Sequence, residues 1–585
     1  MSANAEAIVT AGLRPDLFEE TGGRSLSRTL LITALAVLVI GGFAFRARGL
    51  SAEGLADDEL NKLEAANDYR AHGLTAANGE HPFLMKASVL ISVVAAEKWN
   101  SAVGNQHPEV FIPVETAVRL PNVLAGSLIT LLLYFVIAEL FGDEIALLAA
   151  ALWAVDPIAI SFNRIAKEDT FLLFFFLIAN VIWLRGQRVA ESEPDRNPAP
   201  YYWASAVAFG AMAASKYLPQ YVSISISYYW MFQAIPETRW RLGRPRFLLF
   251  FVIMGIAFAV FNPPIFLPET WHQIRNFTSH KMVGHNSYEF MGKLYPHDVK
   301  AWFQGLPVYF YGVFLAIKLP LLTLIAFLLG LPLLFRRKLG DGRYFLLFWM
   351  FFWLQFSISG SKFTRYTLFV MPAIYTTAAI GAYYIIRWVA RKLGEATNND
   401  RLRVYAKGAL ASLLVIAAGL ASASAVPHYR FFTNVLGGGA AKAGSQFPQD
   451  DFYDAEIGDV ISAIAKRAKE QAQVASESPP VCTYYAERYG RSDLKCISLS
   501  DGAALKQLTA GDFIVAARGR HYFSNDAVLT ALHAAATPAF NIPVGNVPAA
   551  DVYIMDERSL AGVKSAITVN HADDRSSATS QQSHQ

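Results

Sequence analysis

Apolar residues gather in long unbroken runs along most of the chain, beginning with Thr29 to Phe45 and recurring as far as residue 424. A helix needs roughly 17–25 such residues to cross a hydrocarbon core. Runs of this kind fall near 29–46, 119–141, 144–163, 169–185, 201–215, 218–233, 246–262, 314–335, 344–358, 364–386 and 406–424, about eleven in all. The pattern predicts an α-helical polytopic membrane protein with a transmembrane domain over 29–425. The connections between runs differ in charge. Arg24 and Arg28, Arg185 and Arg188, RWRLGRPR around Arg239 to Arg246, RRKLGDGR from Arg336 and RWVARK from Arg387 are basic, as cytoplasmic loops are. Residues 1–28 are then cytoplasmic, and the loops 47–117 and 263–313 and everything from 426 onward lie outside. The segment 1–28 has neither a long apolar core nor a small-residue cleavage site, so the first run reads as a retained anchor.

Beyond residue 425 the period changes. YDAEIGDVISAIAKRAKEQ and NDAVLTALHAAA have helical spacing, while DLKCISL, DFIVAAR and DVYIMD are short strand-like runs. They predict a small soluble α/β domain over 426–569 on the outward side. The polar tail 570–585 has no apolar anchor and reads as disordered. Cys482 and Cys496 leave two readings open: a disulfide in an oxidising compartment, or two buried thiols.

Composition agrees with the pattern, with a mean hydropathy of +0.29 and 54% hydrophobic against 17% charged residues. A net charge of +4 is too small to make nucleic acid a partner.

Charge is rare enough that its placement is informative. In LADDELNKL, Asp57, Asp58 and Glu59 stand a dozen residues beyond the first run. Taken alone, they are an acidic first turn of a solvated helix. GEHPFLMK adds Lys86 and the pair Glu80 and His81, which is able to hold a divalent ion or forms an interfacial helix cap. NRIAKED squeezes Arg164, Lys167, Glu168 and Asp169 between two spans, where ionisable groups are costly and mark function. The loop 263–313 contributes His272, Arg275, His280 and His285; AIKLP sets Lys318 inside an apolar run, where it either snorkels or binds; SGSKFTRY adds Lys362 and Arg365. One membrane face thus collects carboxylates and cations. Such a mixture suits a lipid with an anionic headgroup: cations hold phosphate and a carboxylate accepts a proton from an attacking hydroxyl. No Gly-rich phosphate loop stands at a strand-to-helix junction for a soluble nucleotide donor.

The series DDEL, EHPFLMK, RLPNVLAGSLITLLLYFVIAELFG, NRIAKED, ASKYLP, GHNSYEFMGK with AIKLPL, and SKFTRYTLFVMPAIY resembles the membrane glycosyltransferases of the protein O-mannosyltransferase and aminoarabinose lipid A transferase superfamily. The resemblance covers roughly 25–425. It implies a C-type glycosyltransferase (GT-C) fold, a polyprenyl-phosphate-sugar donor, a lipid or protein acceptor, and transfer at the outer face of the membrane, here that of a bacterial inner membrane. The family's Asp-Glu pair falls on Asp58 and Glu59, with Asp57 an extra carboxylate, and its second acidic residue on Asp169 after Arg164. Where some members have Glu-Lys before the loop proline, this chain has Glu80 and His81. The expected catalytic residues are Asp58, Glu59 and Asp169; the expected phosphate clamp is Arg275, Lys318, Lys362 and Arg365; Glu80, His81 and His272 are candidates for a metal or the acceptor, with Asp57, Arg164 and Lys86 nearby. The rival readings are a lipid flippase or transporter, which would show paired broken helices in two related halves, and a sensor whose outward domain binds a ligand.

Overall fold

The structure, a computed structural model, describes residues 28–232, 240–279, 282–298 and 302–567. Arg24, Arg239, His280 and the polar tail lie outside these residues. The membrane-type part comprises α1 (Arg28–Ala47), α2 (Asp57–His72), α3 (Phe83–Trp99), α4 (Val114–Phe141), α5 (Asp143–Val155), α6 (Pro157–Asn163), α7 (Glu168–Ser192), α8 (Ala199–Ala213), α9 (Val222–Phe232), α10 (Arg244–Phe261) and α11 (Pro268–Ser279). A hairpin of β1 (Met282–Phe290) and β2 (Lys293–Asp298) follows, then α12 (Phe310–Lys318), α13 (Leu321–Gly330), α14 (Gly342–Ile358), α15 (Met371–Thr397) and α16 (Asp400–Ser424).

Among the described residues five helices are long and apolar enough to cross a membrane: α1, α7, α10, α16 and the one ending at Phe141. Several expected runs are broken by recognisable residues. That at 144–163 bends by 59° between α5 and α6, because Asp156 caps α6 by accepting from the Ile158 amide and Pro157 takes its first position. That at 314–335 breaks at Leu319-Pro320, where proline removes a helical donor. α13 and α15 pack backbone to backbone: a Cβ on Gly330 would lie 2.0 Å from the Thr377 carbonyl oxygen, and one on Gly381 2.1 Å from that of Ala326. Small residues are what permit such approach between apolar helices.

The last part contains α17 (Pro448–Phe452), α18 (Ile457–Ala465), β3 (Gln473–Ser476), α19 (Pro479–Arg488), β4 (Lys495–Ser498), α20 (Gly502–Leu505), β5 (Phe513–Ala517), α21 (Asp526–Ala535), β6 (Phe540–Val544) and β7 (Val547–Ile554). The strands form one sheet in the order β4-β3-β5-β7-β6. β3 runs parallel to β4 and β5, and β7 antiparallel to β5 and β6. Alternate residues serve two cores. Val474, Phe513, Val515 and Val552 pack with α18 and α19 and with Leu55, Leu60, Leu63, Met85 and Val89 of the first loop. Ala475, Ile514 and Tyr553 pack with Leu529 and Leu532 of α21. The sheet is therefore seated on α2 and α3 through a shared apolar core. The strand-like runs DLKCISL, DFIVAAR and DVYIMD are β4, β5 and β7. The short runs β3 and β6, the helix α19 and the β1–β2 hairpin are further elements, which their brevity, polar residues or prolines left unannounced. Cys482 of α19 and Cys496 of β4 are joined as a disulfide.

Candidate active site

α4 is the rod on which the two acidic clusters are hung. From one end of it Arg119 donates to both oxygens of Glu59, at 2.9 and 2.6 Å, and to the carbonyls of Leu50, Glu53 and Gly54. One turn further, Asn122 donates to the carbonyls of Ile165 and Lys167, both at 2.7 Å. The same helix face thus fixes the start of α2 and the tight turn that leads into α7. Glu59 ties the two together, because it also accepts from the amides of Ala56 and Ala166.

Between these clusters, α10, α11 and the last part of the chain lies a cavity of about 1070 Å³. Asp57, Asp58, Glu80, Glu168, Asp169, Asp450 and Asp454 line it with Lys167, Lys216, Arg365 and Arg520; Leu172, Phe251, Met254, Phe258, Phe356 and Phe369 supply an apolar wall. α10 turns Phe251, Met254 and Phe258 to the cavity and leaves Leu248, Val252 and Ile256 exposed, as a helix between a site and lipid would.

Asp58 is reached through one oxygen. Its Oδ2 lies 2.8 Å from Lys167 Nζ and 4.0 Å from Arg365, and accepts from Tyr453 Oη at 2.9 Å. Burial alone would raise the Asp58 carboxyl, but Lys167, Arg365 and Lys62 hold it well below the usual carboxylate range. Arg365 stacks over Phe363, 4.1 Å from the ring centre. Asp450 orients that segment by accepting from Tyr288 Oη and from the Thr364 amide, each at 2.7 Å. Asp169 Oδ1 accepts from Lys216 at 2.6 Å, and Lys216 sits over the Tyr366 ring. Behind them Lys62 and Glu168 form a buried pair at 2.8 Å.

Asp57 pairs with Arg520 at 2.8 Å and accepts from Ser478 at 3.1 Å. Burial and the neighbouring Asp454 push its carboxyl up to about 6, against the pull of Arg520. Arg520 also binds both oxygens of Asp454, so residues some 460 positions apart share one ionic network.

Of the residues expected at the site, Asp57, Asp58, Glu80, His81, Asp169 and Arg365 line the cavity, and the others do not. Glu59 is fully buried and held by Arg119 and two amides. Lys318, expected to hold phosphate, is buried against both oxygens of Asp451, at 2.8 and 2.7 Å, and the Arg430 carbonyl. Lys362 donates to the carbonyls of Leu306 and Ser359, and Lys86 to those of Ala77, Asn78 and His81. Arg164 binds the carbonyls of Arg46, Arg48 and Gly49 and so caps the end of α1. Arg275 and His272 point outward from α11, whose Trp271, Ile274 and Phe277 face the cavity. In their place stand Lys167, Lys216, Tyr453, Asp454 and Arg520. Lys167 and Lys216 were visible in NRIAKED and ASKYLP; Tyr453 and Arg520 carried no local signal.

A divalent ion at Glu80 and His81 does not fit this arrangement. Glu168, which lies 3.6 Å from His81, is paired with Lys62 at 2.8 Å, and Glu80 accepts from Asn78 at 2.5 Å. Among the described residues no three His, Cys, Asp or Glu side chains gather to hold a metal.

Residues 108–266 match the family model described as dolichyl-phosphate-mannose-protein mannosyltransferase. No curated protein matches the sequence. The archaeal oligosaccharyltransferase AglB from Archaeoglobus fulgidus, solved with an inhibitory peptide and a dolichol-phosphate, superposes with a TM-score of 0.51 at 10% identity over 84% of this chain and 70% of that one. ArnT from Cupriavidus metallidurans bound to undecaprenyl phosphate gives 0.45 at 15% identity over 90% and 98%. The S. cerevisiae protein O-mannosyltransferase Pmt1-Pmt2 complex bound to the sugar donor gives 0.30 at 16% over 46% and 36%. The family match spans the helices that carry Arg119, Asn122 and the turn into Asp169, and the chain shares its fold with AglB.

Proposed function

We propose that this chain moves a sugar from a polyprenyl-phosphate donor to an acceptor oxygen at the outer face of the membrane, with inversion at the anomeric carbon. The observation that carries the reading is the single cavity in which Asp58 and Asp169 face Lys167, Lys216 and Arg365 beside an apolar wall. The wall suits the polyprenyl chain, each buried methylene contributing on the order of 0.8 kcal/mol. The three cations suit the phosphate. In the reaction the bond between the anomeric carbon and the phosphate oxygen breaks and its electron pair stays on polyprenyl phosphate, whose charge Arg365, Lys167 and Lys216 meet. An acceptor hydroxyl attacks from the opposite face, and its proton passes to Asp58. Asp169, anchored by Lys216, orients the sugar or the acceptor. No step is routed through a metal.

An outward-facing site in a bacterial inner membrane, with the last part of the chain in the periplasm, is part of the same proposal. Basic connections at the other end of the helices and the Cys482–Cys496 disulfide, which suits an oxidising compartment, support it. Purified protein in nanodiscs, given undecaprenyl-phosphate sugars and envelope extract, is expected to release undecaprenyl phosphate and label a product detectable by mass spectrometry. Movement of intact labelled lipid across reconstituted bilayers, with no headgroup cleavage for any sugar, would replace this reading with a flippase.

A further inference from the structure

Tyr453 and Asp454 follow α17 in succession with φ of +47° and +59°, the left-handed region in which most side chains are strained and glycine or asparagine is the usual residue. Strain of this kind persists only where the surroundings over-determine it, and it gathers at functional sites. The two residues are gripped from both sides. Asp454 gives both oxygens to Arg520, which follows β5, and accepts from the Asp57 amide of the first loop at 3.3 Å. Arg430 lies over the Tyr453 ring, 5.6 Å from its centre, and is itself tied to Glu53 of the first loop at 2.6 Å.

The strained turn delivers a phenol to the cavity. Tyr453 Oη donates to Asp58 Oδ2 at 2.9 Å, across 395 residues of chain. Lys167 and Arg365 approach the same oxygen, at 2.8 and 4.0 Å. The Asp58 side chain nevertheless stays 31% exposed on the cavity it lines, so its other oxygen, Oδ1, is the one open to an incoming hydroxyl. The three groups at Oδ2 differ in kind. Lys167 and Arg365 are cations that a phosphate attracts, whereas Tyr453 is neutral; burial and the Asp58 charge hold its phenol well above the ordinary 10, so it keeps its proton and remains a donor. Rotation about the last bond of an aspartate is soft. A carboxylate that gives up its cations to a substrate therefore loses its aim unless another donor stays with it.

We infer that Tyr453 is the positioning residue of the base: when the donor phosphate draws Lys167 and Arg365 to itself, the phenol O–H keeps hold of Asp58 Oδ2 and leaves Oδ1 turned to the acceptor hydroxyl. Arg520 acts one step further back, holding Tyr453 in its left-handed turn through Asp454. The inference rests on the donor and base assignments above and adds to them that the last part of the chain aims the base of the membrane part.

The test uses the full-length protein in nanodiscs with the undecaprenyl-phosphate sugar it cleaves and saturating envelope extract. Tyr453→Phe removes one oxygen and keeps the ring beneath Arg430. It is expected to lower kcat about tenfold or more, with KM for the donor and the affinity for undecaprenyl phosphate within about threefold of wild type. The acid limb of kcat should also move to higher pH, because the ionised Asp58 of the loaded enzyme loses a donor that favours its charged form. A merely structural role would lower the unfolding midpoint and leave that limb in place. Arg520→Lys keeps the charge but not the fork that holds both oxygens of Asp454; it is expected to lower kcat and shift the limb in the same direction, and it keeps the test open if Tyr453→Phe fails to fold. The double variant should be no slower than Tyr453→Phe alone, since both changes act through one hydrogen bond. Wild-type kcat and acid limb in Tyr453→Phe would overturn the inference, as would a loss confined to undecaprenyl phosphate affinity, or defects that multiply in the double variant. A wild type that cleaves no undecaprenyl-phosphate sugar is a different result: it removes the donor and base assignments, and the inference with them.

Discussion

Asp58 meets Lys167, Arg365 and Tyr453 all through Oδ2, which leaves Oδ1 for an incoming hydroxyl. Asp58→Asn is expected to keep the protein folded in membranes and to lower transfer by about 10²-fold or more, the scale of a lost general base. The pH profile gives a sharper check. In the free protein the cations keep Asp58 ionised well below the ordinary 3.8. A donor phosphate that draws Lys167 and Arg365 to itself relieves that hold, so the carboxyl rises toward or above its ordinary value and becomes a better base. The acid limb of kcat, which reports the bound enzyme, should then lie at higher pH than the acid limb of kcat/KM, which reports the free one. Coincident limbs would show that the phosphate does not share these cations. Asp57 and Asp58 were indistinguishable in LADDELNKL; what separates them is that Lys167 faces one and Arg520 the other.

At the level of single elements, α4 holds the site together with groups that never touch a substrate. Arg119→Met would leave Glu59 charged, buried and unpaired, and is expected to destabilise the protein by about 3–5 kcal/mol, measured by denaturant unfolding in detergent. Lys318 and Lys167 offer a paired comparison. Lys318 is 133 residues from its partner Asp451 in the chain, and the pair pins α12 to the last part of the protein. Lys318→Met should therefore lower the unfolding midpoint while the folded fraction binds polyprenyl phosphate normally. Lys167→Met should weaken that binding by about 1.5–3 kcal/mol, the worth of a charge-assisted hydrogen bond. The reverse pattern would return phosphate binding to Lys318. Nothing in AIKLP shows whether Lys318 grips a substrate or a distant carboxylate, because a buried lysine in an apolar run has the same local sequence in either role.

For the whole molecule the testable quantity is sidedness. Single cysteines at Ser51, Asn286 and Ser445 should react from outside with a membrane-impermeant maleimide in intact cells, and cysteines at Gly340 and Asn399 should not. The native pair Cys482–Cys496 is oxidised and does not compete. Labelling at Gly340 would invert the topology and place the cavity on the other side. The same scale explains why the last part of the chain matters to the chemistry: its sheet shares a core with α2 and α3, which brings Tyr453, Asp454 and Arg520 to the carboxylates of the first loop.

Periodicity and charge along the chain were sufficient for the helical membrane architecture, the three strands β4, β5 and β7, and the acidic clusters at Asp57–Glu59 and Lys167–Asp169, since these depend on neighbours within a turn or two. The fate of each charge was a matter of long-range packing. Glu59, Lys86, Arg164, Lys318 and Lys362 look as functional in sequence as Asp58 and Arg365, but folding satisfies them with backbone carbonyls, amides or opposite charges. Burial makes an unpaired charge too costly to leave, so the fold pairs within the protein most of the charged groups that it buries. The cavity keeps the few whose remaining valence faces open space.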